Sequence, residues 1–126
     1  MKKKFSIKDR AYSFSHAFRG LGKLIKEEHN SRVHLVAASI ASVTGLLLKI
    51  NTFEWLAVAI AIALVLLCEL FNTAIERLAD KVEPNWDKTI GEVKDYASAG
   101  VLVASILALF VGAIIFIPKI ITICGL

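Results

Sequence analysis

The chain has 126 residues, of which 56% are hydrophobic, and a mean hydropathy of +0.65. That length allows one domain, residues 1–126, and the composition excludes an ordinary soluble protein. The net charge of +4 needs no nucleic-acid partner, because attraction to anionic headgroups accounts for it.

Residues 1 to about 9 are basic and read as irregular chain. From Arg10 to Glu28 the residues Phe14, Ala17, Phe18, Leu21, Leu24 and Ile25 recur at helical spacing, with Arg19, Lys23 and Lys26 largely on the other side. This predicts an amphipathic helix over about 10–28 in the membrane interface, weakened and open to bending at Gly20 and Gly22. No apolar core precedes a cleavage site in this region, so the chain is expected to stay whole in the membrane. Between Arg32 and Lys49 no side chain is formally charged, which predicts a first span over about 32–48. The uncharged stretch would be about 24 Å long as a helix, short for a hydrocarbon core of about 30 Å. Lys49 to Phe53 forms a short outer turn, with Phe53 and Trp55 as interfacial anchors.

The second span is expected over about 54–81 and the third over about 94–118, ending near Pro118. Glu83, Pro84 and Asn85 break the pattern between them and start a loop that runs to about Thr89. Ala57, Ala59, Ala61 and Ala63 on the second helix, and Ala97 to Gly100 at the entrance of the third, suit close helix packing in lipid. Thirteen of the fifteen basic residues fall before the first span or between the second and third. The positive-inside rule then places the N-terminus and the second loop in the cytoplasm, in a multi-pass protein. Cys68 and Cys124 lie near opposite ends of the spans and read as apolar side chains.

Glu69, Asn72, Thr73, Glu76 and Asp80 fall within roughly a quarter of the circumference of the second helix. Acids at membrane depth are costly and usually face a protein interior or a wet cavity. Ten of the eleven acidic residues lie on the predicted cytoplasmic side, with Glu54 alone outside. Carboxylates gathered there with Lys94 suggest Mg²⁺ and a phosphate, since Mg²⁺ favours a few carboxylates plus phosphate oxygens. The plainer alternative is that Glu69, Asn72 and Glu76 only bond across a helix–helix interface. Gly20 to Leu24 (GLGKL) lacks the spacing and context of a phosphate loop. His16, His29 and His34 form no metal cluster by spacing and read as surface polarity or a nucleotide contact. Trp86 reads first as an interfacial anchor and second as a base-stacking platform.

The segments ELFNTAIERLAD (69–80) and KDYASAGVL (94–102) resemble the signature of the prokaryotic diacylglycerol kinase family, which includes the undecaprenol kinases. HAFRGL (16–21) and EHNSRVH (28–34) extend the resemblance to roughly residues 10–118. The resemblance implies an all-α homotrimer of the prokaryotic inner membrane, with three transmembrane helices and a surface helix per chain. It implies transfer of the γ-phosphate of MgATP to a lipid hydroxyl at the cytoplasmic surface. By position in the motifs, Glu69 would be the general base and would bind the lipid with Ser98. Glu28 and Glu76 would hold the metal and contact ATP, and Asn72 and Asp80 would support the site. Lys94 and Asp95 would contact the phosphates, and Arg10, His16, Asn85, Trp86 and Asp87 match segments implicated in ATP binding. His16 and the Pro84–Asp87 loop depart from the best-known bacterial pattern. Both diacylglycerol and undecaprenol remain open as substrates, with HNSRVH and TAIER closer to the undecaprenol type. The alternatives of another class are a small proton-coupled transporter using Glu69 and an oligomeric scaffold.

Overall fold

The structure is a computed structural model that describes residues 5–125; Lys2, Lys3 and Lys4, counted in the orientation argument, lie outside that range. Among the described residues every regular element is an α-helix: α1 (Ile7–Glu27), α2 (His29–Leu47), α3 (Thr52–Val82) and α4 (Lys88–Cys124). Several boundaries differ from the expected ones, each for a local reason. The Ser6 side chain accepts a hydrogen bond from the Asp9 amide at 3.3 Å, so α1 begins at Ile7 and residues 7–9 are helical. It then runs unbroken through Gly20 and Gly22. A single extended residue, Glu28, closes α1 and opens α2, which therefore starts at His29 rather than 32.

The turn from α2 to α3 is a Schellman closure. Ile50 N–H donates to the Gly45 carbonyl at 3.1 Å and Lys49 N–H to the Leu46 carbonyl at 3.3 Å. Lys49 takes the left-handed conformation, φ 50°, that this closure requires. Asn51 and Glu54 then cap α3 reciprocally, each side chain bonding the other's backbone amide. Of the two expected interfacial anchors, Trp55 also makes a protein contact. It is half-buried against Ile50, Val58 and Ile115, and its ring lies over Gly45, whereas Phe53 is exposed.

Asp87 accepts from the Ile90 amide at 2.9 Å, so α4 begins at Lys88, six residues before the expected start of the span. Pro118 does not end it. The helix continues to Cys124, Thr122 Oγ1 donates to the Pro118 carbonyl at 2.9 Å, and Gly125 closes the end at φ 71°. A proline removes one rung of the ladder, and in an apolar environment leaving the helix would expose many more backbone groups.

Two of the helices, α3 and α4, are long and apolar enough to cross a membrane, with mean hydropathies of 2.3 and 2.9 over their most apolar stretches. They make the most extensive helix pairing in the fold. α2 misses that mark because His29, Arg32 and His34 occupy its first two turns. Along α3 the buried side chains Val58, Ala61, Val65, Glu69 and Thr73 form one seam at three- and four-residue spacing. Opposite it, Leu56, Ile60, Leu67 and Phe71 of α3 and Val103, Leu109, Phe110 and Ile114 of α4 are exposed. Exposed apolar area on that scale suits acyl chains or further protein rather than water. Of the alanines expected at the contact, Ala61 is buried and Ala57 half-buried, while Ala59 and Ala63 point outward.

Candidate active site

Glu69 continues the apolar seam of α3 into a polar one. Its side chain is only 3% exposed, so it faces neighbouring helices and not acyl tails. One partner reaches it from α2: His34 Nε2 lies 3.0 Å from Glu69 Oε1. A carboxylate oxygen can only accept, so an N–H at that ring position is what would make His34 a donor to Glu69. Ser31, one turn earlier on the same face of α2, is buried with no hydrogen-bond partner for its hydroxyl.

Towards the chain's predicted cytoplasmic end the seam becomes progressively wetter. Asn72 and Glu76 are half-buried, and Asn72 Nδ2 donates to Glu76 Oε1 at 3.2 Å. Ser98 Oγ of α4 approaches Asn72 Oδ1 at 3.5 Å, a long contact. Asp80, at the wet end, accepts from Lys94 Nζ at 2.8 Å. Arg77 ties the α1–α2 junction to α3, donating to Glu27 at 2.6 Å and to Glu28 at 3.2 Å. Four expected residues, Glu69, Asn72, Glu76 and Asp80, thus lie along one helix, with Lys94 and Ser98 reaching them from α4 and Glu28 held one residue from Glu76 by Arg77.

The remaining expected residues stand apart. Asp95 is exposed, and so are Arg10 and His16 on α1; the Arg10 guanidinium sits 5.5 Å above the Phe5 ring. In the loop, Trp86 is exposed, the Asn85 amide donates to Glu83, and Asp87 is engaged as the cap of α4. Cys68 and Cys124 are free thiols.

His34, expected as surface polarity or a nucleotide contact, instead lies 3.0 Å from buried Glu69, and Arg77, which did not stand out in the sequence, also enters the site. The available signal for His34 was its place in the series Ser31, His34, Ala38, Ala41, Gly45, a small-residue face of α2 interrupted by one imidazole. For Arg77 it was an arginine beside a glutamate stripe, indistinguishable from a solvated surface charge.

Among the described residues no group of three or more metal-competent side chains is close enough to cage an ion. Glu28 and Glu76 each use only Oε1 in the bonds above, so each retains Oε2. Carboxylates with a free oxygen suit Mg²⁺, which favours a few carboxylates together with phosphate oxygens. Beside the site, α2, α3 and α4 enclose an open groove of ≈ 700 Å³. It begins at His34 and Ala37, passes Val65, Leu66 and Ser105, and ends at Ile117 and Ile120. Its walls are chiefly hydrocarbon, and its polar end lies beside Glu69.

This arrangement can hold a carboxylate base in a dry setting, bind a phosphate-bearing cation one to three turns away, and receive an apolar chain alongside. Comparisons with known proteins agree with that chemistry. The family model described as prokaryotic diacylglycerol kinase matches residues 15–116. The chain is 32% identical over 107 residues to an undecaprenol kinase of Bacillus subtilis, covering 85% of this chain and 87% of that one. It is 28% identical over 111 residues to a diacylglycerol kinase of Synechocystis, covering 87% of this chain and 63% of that one. A diacylglycerol kinase of Escherichia coli K12 is 28% identical over 100 residues, covering 79% of this chain and 82% of that one. Kinases, not transporters, are what this chain is similar to. With most of its length matched by the family model and by the undecaprenol kinase, the chain belongs to the prokaryotic diacylglycerol kinase family and is a lipid kinase.

Proposed function

We propose that the protein transfers the γ-phosphate of ATP to the hydroxyl of a membrane lipid at the cytoplasmic surface of the inner membrane. The observation that carries this reading is the burial of Glu69 at the junction between an apolar groove and a row of hydrophilic, charge-bearing side chains. In the proposed step, Glu69 accepts the hydroxyl proton as the alcohol oxygen bonds to the γ-phosphorus. The bond from that phosphorus to the bridging oxygen breaks, and ADP leaves. A lipid alcohol is a poor nucleophile near neutral pH, so removal of its proton during attack is worth on the order of 10²–10⁴ in rate. Phosphoryl transfer otherwise needs alignment and charge neutralisation.

Lys94 and Asp95 contact the phosphates in this reading, and Arg10, His16 and the Asn85–Asp87 loop contribute to nucleotide binding from α1 and the α3–α4 connection. Glu28 and Glu76 would hold Mg²⁺, whose charge would offset that of the phosphates. Asn72 and Asp80 keep Glu76 and Lys94 in place, and Ser98 lies near the lipid. α2 serves as a third span: its 19 residues would extend about 28 Å, close to a hydrocarbon thickness of about 30 Å. The exposed apolar sides of α2, α3 and α4 support assembly as a homotrimer, with N-termini in the cytoplasm.

Between the two lipid classes, undecaprenol is the first choice. The HNSRVH and TAIER segments and the 32%-identical undecaprenol kinase both favour it. Purified protein supplied with MgATP and each lipid separately should phosphorylate undecaprenol faster than diacylglycerol. Preference for diacylglycerol would reverse the substrate assignment, and ATP-dependent phosphorylation of neither would remove the reading.

A further inference from the structure

The contact between His34 and Glu69 is the one polar bridge seen from α2 to the acidic seam of α3, and the motif alone offers no role for it. Three observations bear on it. The distance from Nε2 to Oε1 is 3.0 Å, and the carboxylate is 3% exposed while the imidazole is 25% exposed. His34 also lines the apolar groove, where it is the one titratable side chain among the lining residues. Finally, the two permanent cations that form ion pairs at this end of the bundle hold other acids: Arg77 holds Glu27 and Glu28, and Lys94 holds Asp80. Glu69 therefore depends on an imidazole where a guanidinium or ammonium is the usual partner of a buried acid.

We propose that His34 is a positioning residue for phosphoryl transfer, its Nε2–H fixing Oε1 of Glu69 so that Oε2 remains free to accept the lipid proton at the head of the groove. A carboxylate on a flexible two-carbon stem samples several rotamers, and general-base catalysis needs one of them within hydrogen-bond reach of the alcohol. A single fixed donor selects that rotamer. The groove adds a second constraint, since a lipid chain lying in it would bring its hydroxyl to the end where His34 stands. The inference rests on Glu69 being the base in the proposed reaction.

The test compares His34→Ala and His34→Gln with the unaltered full chain and with Glu69→Gln, in mixed micelles containing undecaprenol and MgATP. Loss of positioning by His34→Ala should lower kcat on the order of 10²-fold, with the KM for MgATP unchanged. His34→Gln retains a neutral N–H donor and should recover most of that loss, to within about fivefold of the unaltered protein. The melting midpoint of each purified variant in detergent reports its folding. A kcat for His34→Ala within about threefold of normal would overturn the inference, since it lies far from the loss expected for a misplaced base. So would equal impairment of the Ala and Gln variants when both melt normally. If His34→Ala does not fold, His34→Gln decides: near-normal kcat supports the donor role, and a loss on the order of 10²-fold overturns it. Retained turnover in Glu69→Gln would remove the base and this inference with it. An inactive Glu69→Gln beside a fully active His34→Ala would remove the inference alone.

Discussion

The two ends of the α3–α4 pair are built on opposite principles. At the end near Ile50, Val58 and Ile115, shape does the work: Trp55 covers Gly45, and Lys119 meets Glu54 at 3.2 Å at the rim. At the other end an acid, an amide and an imidazole occupy seam positions that apolar side chains would fill more cheaply. Burying such groups costs stability unless each finds partners. The difference teaches that the first end is organised for holding the helices together, and the second for chemistry. Substitutions at the second should therefore harm turnover more than folding, and substitutions at the first the reverse.

The largest effect is expected from Glu69→Gln, which keeps the size and loses the proton acceptor. Turnover should fall on the order of 10²–10⁴-fold while the melting midpoint changes little, as single-turnover assays and thermal unfolding in detergent can show. Retained turnover would make both ends structural. Glu76→Gln should come next, raising the Mg²⁺ concentration needed for half-maximal activity by roughly tenfold or more, since even loss of a group that only supports a metal's ligands costs that much. An unchanged metal titration would count against Glu76 as a ligand.

At the opposite end, Gly45→Ala would bring a Cβ within 2.9 Å of the Trp55 ring and 3.0 Å of the Ile50 side chain. Forced repacking of that kind costs about 1–3 kcal/mol, which should appear as a lower melting midpoint with near-normal kcat in the surviving protein. The smallest expected effect is a gain. Among the described residues Lys49 is the one non-glycine at positive φ, and Lys49→Gly should relieve that conformation and stabilise the fold by roughly 0.5–1 kcal/mol. A loss of stability there would mean that the charge of Lys49 matters more than its backbone.

Much of the fold was legible because charge and hydropathy are read residue by residue. The long uncharged stretch after Asp95 and the run from Trp55 to Cys68 mark α4 and α3 without reference to any neighbour. The helix ends were less legible. Asp87 capping α4, Ser6 capping α1 and Pro118 lying inside a helix each depend on a single local bond competing with a general tendency. The protein contact of Trp55 was hidden for a related reason, since an aromatic residue near a span end suits lipid, a protein contact or both until a glycine is found facing it.

The amino-acid order by itself determined that Glu69, Asn72, Glu76 and Asp80 share one helical stripe, because a period of 3.6 residues is a property of the backbone. It likewise determined that the basic residues cluster at one end of the spans. Only the tertiary structure decided which way the stripe faces, that His34 from α2 meets Glu69, and that Arg77 draws the α1–α2 junction beside Glu76. Those contacts join residues 35 and 49 positions apart in the chain. Periodicity within one helix carries no information about the rotation and offset of its neighbours, which follow from packing along the whole seam.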